Sequence, residues 1–138
     1  MCWSAEASVA MVVVGGAATV VTIRRGDPVA IWAALGYFTF MEALQAAGYA
    51  VVDQCGTPGN RVVTQLSYLH IAFQPLFINA FAMAVAPVAV SPKMRKWVFG
   101  FAGLGSAVML LHLLPTEVFG HCTPGTVMCG QDWCLHSG

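Results

Sequence analysis

The chain has 138 residues, six Lys or Arg and six Asp or Glu, and a formal net charge of zero. Hydrophobic residues make up 58% and charged residues only 9%, against about 25% charged in soluble domains. That composition excludes nucleic-acid binding through a basic surface, and it leaves no room for a second, soluble domain beside a set of membrane-spanning helices.

The opening, Met1 to Glu6, is short and polar and lacks the basic region and cleavage site of a signal peptide. A first apolar helix is expected over residues 7–23, where Gly15, Gly16, Ala17 and Ala18 give a small-residue surface for close helix packing. Arg24 to Pro28 form a tight basic turn. A second helix is expected over 29–52, with Thr39, Glu42, Gln45 and Tyr49 recurring at helical spacing as a polar stripe. The stretch Asp53 to Arg61 is dense in turn formers.

The third helix, expected over 62–90, is the stretch around which the chain is arranged. It carries Ser67, His70 and Gln74 on one face, with Pro75 beside them. Polar side chains are costly in hydrocarbon and should face other helices or a wet cavity. Proline at 75 cannot donate to the Ile71 carbonyl and is expected to bend the helix there. Ser91 to Lys96 form the second basic turn. A fourth helix is expected over 97–114, with Gly100, Gly103 and Gly105 early in it and His112 near its end. Residues 115–138 form a polar, cysteine-rich tail too broken by Gly and Pro to be helical throughout.

Residues 1–138 are therefore expected to form one membrane domain. Its fold class is all-α: a polytopic four-helix bundle with a Cys-rich non-cytoplasmic C-terminal tail. Arg24 and Arg25, and Lys93, Arg95 and Lys96, occupy alternate turns and so share one side. The positive-inside bias puts that side in the cytoplasm and both termini outside. Cys2, Cys55, Cys122, Cys129 and Cys134 then all fall on the outer side, where disulfides form. Cys55, Cys122, Cys129 and Cys134 are the pairing candidates, in a connectivity the sequence does not give. Cys2 is the odd thiol.

Counted at ~1.5 Å of rise per residue, Glu42 lies roughly 15 Å and His70 roughly 12 Å inside the outer helix ends. Glu42, His70 and His112 are the candidate ligand or metal residues, with Gln45, Ser67 and Gln74 supporting. Imidazole with carboxylate suits a transition metal or a haem; the same pair would also serve a small polar ligand or a proton. The signal for metal is weak. The residues come from different helices, no HExxH is present, and Cys129 and Cys134 lack the two-residue spacing of a zinc knuckle. An intramembrane hydrolase is disfavoured: Ser67 is near His70, but no GxSxG surrounds it. The bland alternative is a non-catalytic accessory subunit in which Glu42 and His70 only tie helices together. The expected partners are the bilayer and a homo-oligomer or larger membrane complex.

Met1-Cys2-Trp3-Ser4, Asp53-Gln54-Cys55-Gly56, the segment from His70 to Gln74-Pro75, and the tail from Cys129-Gly130 to Trp133-Cys134 resemble a family of multi-pass membrane proteins of unknown function that open with Met-Cys-Trp-Ser. The resemblance covers the whole chain. It implies a membrane location and an intact polar core, and no activity. Proteins of that pattern continue past the Trp-Cys tail into further hydrophobic segments, so the resemblance implies that this chain, ending at Gly138, is a shortened version.

Overall fold

A computed structural model describes residues 4–52, 54, 57–86 and 89–111. The chain is all-α. Among the described residues four helices follow one another: α1 (Ala5–Arg24), α2 (Val29–Val51), α3 (Pro58–Val85) and α4 (Pro92–Leu111). Among the described residues there is no strand.

Local chemistry sets the helix ends. The Ser4 hydroxyl accepts from the Ala7 N–H at 3.2 Å and caps α1, with Glu6 in the first turn where the helix dipole favours an anion. At the other end the Gly26 N–H donates to the Ile23 carbonyl and the Asp27 N–H to the Thr22 carbonyl. This is a Schellman ending, and it needs the left-handed backbone that Gly26 adopts at φ 71°. Pro28 then starts α2. Thr57 caps α3 by accepting from the Asn60 N–H at 3.3 Å, with Pro58 at the first helical position. The third helix therefore begins four residues before the apolar run at Val62 and ends at Val85, short of Val90. Ser91 and Pro92 do the same for α4: the Ser91 hydroxyl accepts from the Met94 N–H at 3.2 Å. The basic residues Lys93, Arg95 and Lys96 thus lie within α4 rather than in a turn before it.

Three helices, α1, α2 and α3, are long and apolar enough to cross a membrane. The fourth helix, Pro92–Leu111, carries Lys93, Arg95 and Lys96 in its first turns, and the expected fourth span over 97–114 runs past the described residues. At ~1.5 Å per residue, the 28 residues of α3 reach roughly 42 Å, longer than the ~30 Å hydrocarbon layer. The distribution of apolar side chains agrees with a lipid surrounding. Val9, Val13, Val14, Phe40, Phe73, Phe101 and Leu104 point outward, while among the described residues the buried hydrophobic ones are only Ala34, Leu44, Ala72 and Ala102. In water such a surface would be an aggregation site; in lipid it is solvated.

The helices pack in series, α1 on α2, α2 on α3 and α3 on α4; among the described residues α1 does not touch α3 or α4, and α2 does not touch α4. Each seam has its own fastening. Between α1 and α2, small residues meet threonines reciprocally: a Cβ at Gly15 would collide with Thr39 Oγ1, and one at Gly36 would lie 3.5 Å from Thr19 Cγ2. Thr19 and Thr39 bond their hydroxyls to the carbonyls of Gly15 and Leu35 in their own helices, both at 2.8 Å, so the seam closes without unpaired hydroxyls. At the α2–α3 joint, the fully buried Asn60 donates from Nδ2 to the Val51 carbonyl at 2.8 Å and satisfies the end of α2. Between α3 and α4, the Tyr68 hydroxyl donates to the Met109 carbonyl at 2.7 Å, next to the buried Ala72, Ala102 and Ser106. Among the described residues, Cβ atoms at Gly100, Gly103 and Gly105 of α4 would meet nothing within 4 Å.

Candidate site in the seam between helices two and three

His70 lies on the side of α3 that faces α2 and is only 5% exposed. Its ring stacks on Tyr37 of α2, with centroids 3.8 Å apart and planes 19° apart. The opposite face of Tyr37 stacks on Phe77 of α3 at 3.8 Å and 12°. Tyr37 is thus a plate held between two α3 rings seven residues, or two helical turns, apart. Its hydroxyl donates to the backbone carbonyl of His70. Phe40, one turn along α2, lies 5.8 Å from the His70 ring, tilted by 54°, and is itself 51% exposed on the outer surface.

The imidazole is therefore wedged among aromatic rings. Its Nε2 is buried and has no hydrogen-bond partner among the described residues. A buried polar nitrogen without a partner costs about 1–3 kcal/mol, and such groups concentrate where a site is used rather than where a core is merely filled.

Ser67 and Gln74 flank His70, three and four residues away on the same helical face, and both are half-buried. Glu42 and Gln45 belong to the other seam. The Ser8 hydroxyl of α1 donates to Gln45 Oε1 at a long 3.5 Å, and Thr39 lies against Gly15 of α1. At ~100° per residue Glu42 falls midway between Thr39 and Gln45 and about 140° round α2 from Tyr37. Glu42 is thus turned toward α1 and His70 toward Tyr37, and no hydrogen bond joins the two. The polar stripe along α2 is real, but it serves a different neighbour from the one His70 faces.

His112 and the cysteines Cys2, Cys55, Cys122, Cys129 and Cys134 lie outside the described residues. Among the described residues, no three His, Cys, Asp or Glu side chains come close enough to hold a metal ion.

Sequence reasoning missed Tyr37, Phe77 and Asn60. Tyr37 had a signal: a phenol in the middle of an apolar helix needs a partner for its hydroxyl. Asn60 falls among the turn formers of the sequence; its role at the end of α2 depends on the return of the chain, which periodicity does not encode.

The sequence model of a family of unknown function (DUF5765) matches residues 6–138. No curated protein and no solved structure matches the chain.

Proposed function

The chain belongs to this family of unknown function, and from that premise we propose that it is a multi-pass membrane protein with a polar ligand site centred on His70 in the α2–α3 seam. The observation that carries this reading is the buried imidazole whose Nε2 has no partner among the described residues. Nε2 is the group offered to the ligand. Gln74 and Ser67, on the same face, are placed to add hydrogen bonds. A single imidazole among neutral aromatic rings suits a small polar ligand. A metal or haem is the other class that would use it, with His70 as its one ligand from the described residues.

Glu42 enters this account as a second polar position, on the α1 side of α2. Its part in ligand binding would run through α2 rather than through contact with His70. The non-catalytic accessory subunit is favoured by one observation, the serial row of helices with apolar side chains facing outward, which suits packing against lipid or other membrane subunits.

In the same reading the Arg24–Arg25 turn and the basic start of α4 lie in the cytoplasm, and both termini and residues 53–61 lie outside. Disulfides among Cys55, Cys122, Cys129 and Cys134 then staple the outer side, and Cys2 remains the odd thiol.

The test uses full-length protein purified in mild detergent without chelators. Absorbance spectra and elemental analysis are taken for the wild type, His70→Ala and Glu42→Gln. A Soret band or near-stoichiometric metal that His70→Ala removes identifies a metal or haem site. A colourless, metal-free preparation leaves the small polar ligand. A bound metal or chromophore that survives His70→Ala overturns the assignment of His70.

A further inference from the structure

Pro75 interrupts α3 between the two rings that clasp Tyr37. His70 lies five residues before it and Phe77 two residues after. Having no N–H, Pro75 leaves the Ile71 carbonyl without its helical donor, so the ladder of α3 is broken at this level. A helix is most easily bent where that ladder is cut.

Two side chains brace the break. Asn79 donates from Nδ2 to the Pro75 carbonyl at 2.7 Å, on the C-terminal side. Tyr37, from the neighbouring helix, donates its hydroxyl to the His70 carbonyl on the N-terminal side and lodges its ring between His70 and Phe77. The Asn79 brace is local to α3. The Tyr37 brace spans the proline and comes from another element.

We propose that Tyr37 is a latch across the Pro75 hinge, holding the part of α3 before the proline and the part after it at a fixed angle. While the phenol sits between the two rings, α3 behaves as one rod against α2. When it leaves, the segment carrying Ser67 and His70 is free to turn on Pro75 independently of the segment carrying Phe77. The setting of the His70 ring then depends on the latch. This inference stands on the geometry of the α2–α3 seam, and it holds whatever His70 binds.

The test is amide hydrogen exchange on the full chain in nanodiscs, read by mass spectrometry for Tyr37→Phe, Tyr37→Leu, Pro75→Ala and the Tyr37→Leu/Pro75→Ala double variant. Tyr37→Phe keeps the stack and loses the hydroxyl. It should speed exchange over residues 71–79 by about three- to twentyfold, the range for one interhelical hydrogen bond. Tyr37→Leu loses both contacts and should exceed it, with peptides of α1 unchanged. Pro75→Ala restores the ladder and should return the double variant to near the wild-type rate. If Tyr37→Leu unfolds the protein, so that all helices accelerate together, Tyr37→Phe decides alone. Exchange over 71–79 within about twofold of wild type in Tyr37→Phe, or a double variant as fast as Tyr37→Leu, overturns the latch.

Discussion

Gly15 and Gly16 are neighbours in α1, yet the structure gives them opposite prospects. A Cβ at Gly16 would meet nothing within 4 Å. One at Gly15 would collide with Thr39 Oγ1 and crowd Thr39 Cβ and Cγ2 at 3.3 and 3.4 Å. The Thr39 hydroxyl is bonded to the Leu35 carbonyl at 2.8 Å, so the side chain cannot swing away without giving up that bond. Both Gly→Ala changes gain the same helix propensity, about 1 kcal/mol, and this term cancels between them. What remains is the overpacking at Gly15, about 1–3 kcal/mol. Gly15→Ala should therefore be less stable than Gly16→Ala by about 5- to 150-fold in the unfolding equilibrium. The assay is reversible unfolding in mixed micelles, followed by the fluorescence of Trp32 in α2. Thr39→Ala in the Gly15→Ala background removes the obstructing atoms and should recover most of the loss. Equal stabilities for the two alanine variants, or no recovery with Thr39→Ala, would refute the close α1–α2 contact.

Three further outcomes follow from the same seams. Asn60→Leu removes the side-chain donor to the Val51 carbonyl, which keeps the Gln54 N–H at 3.0 Å, and should destabilise the protein by about 0.5–1.5 kcal/mol in the same micelle assay. Tyr68→Phe cuts the hydroxyl bond to Met109 and should loosen α4 alone. Its amides should exchange about threefold to twentyfold faster while those of α1 and α2 hold their rates. For the topology, single reporter cysteines are placed at Gly26 and Lys93 in a background with the native cysteines replaced. Both should resist a membrane-impermeant thiol reagent in intact cells and react after permeabilisation, whereas a reporter at Gly59 reacts in both. Opposite labelling of the Gly26 and Lys93 reporters would overturn the shared side.

Hydropathy alone located the four helices, because an apolar run bounded by Gly, Pro and charge leaves the backbone few alternatives. It placed the start of α3 late, since the cap at Thr57 and Pro58 is polar and hydropathy does not count it. It placed Lys93, Arg95 and Lys96 in a turn before the fourth helix, although the cap at Ser91 and Pro92 draws them into the helix itself. His70 was legible as a candidate because a histidine is expensive in hydrocarbon wherever it points. The stripe Thr39–Glu42–Gln45–Tyr49 was equally legible, but not its partner: helical period fixes which residues share a face, and only the packing of α1 decides what that face meets. Pairing Glu42 with His70 rested on similar depth, and depth does not distinguish the two sides of α2. Tyr37 was hidden for the opposite reason. In an apolar helix it looks like any other aromatic, and its role appears only when Phe77 and His70 close on its two faces.

The most direct test of the central claim is native mass spectrometry of the protein released from nanodiscs, wild type beside His70→Ala, with Ser67→Ala as a control on the same face. A bound species of defined mass is expected on the wild type, absent from His70→Ala and retained, at weaker occupancy, on Ser67→Ala. A folded wild type that carries no such species, or one whose bound mass is indifferent to His70→Ala, would contradict it.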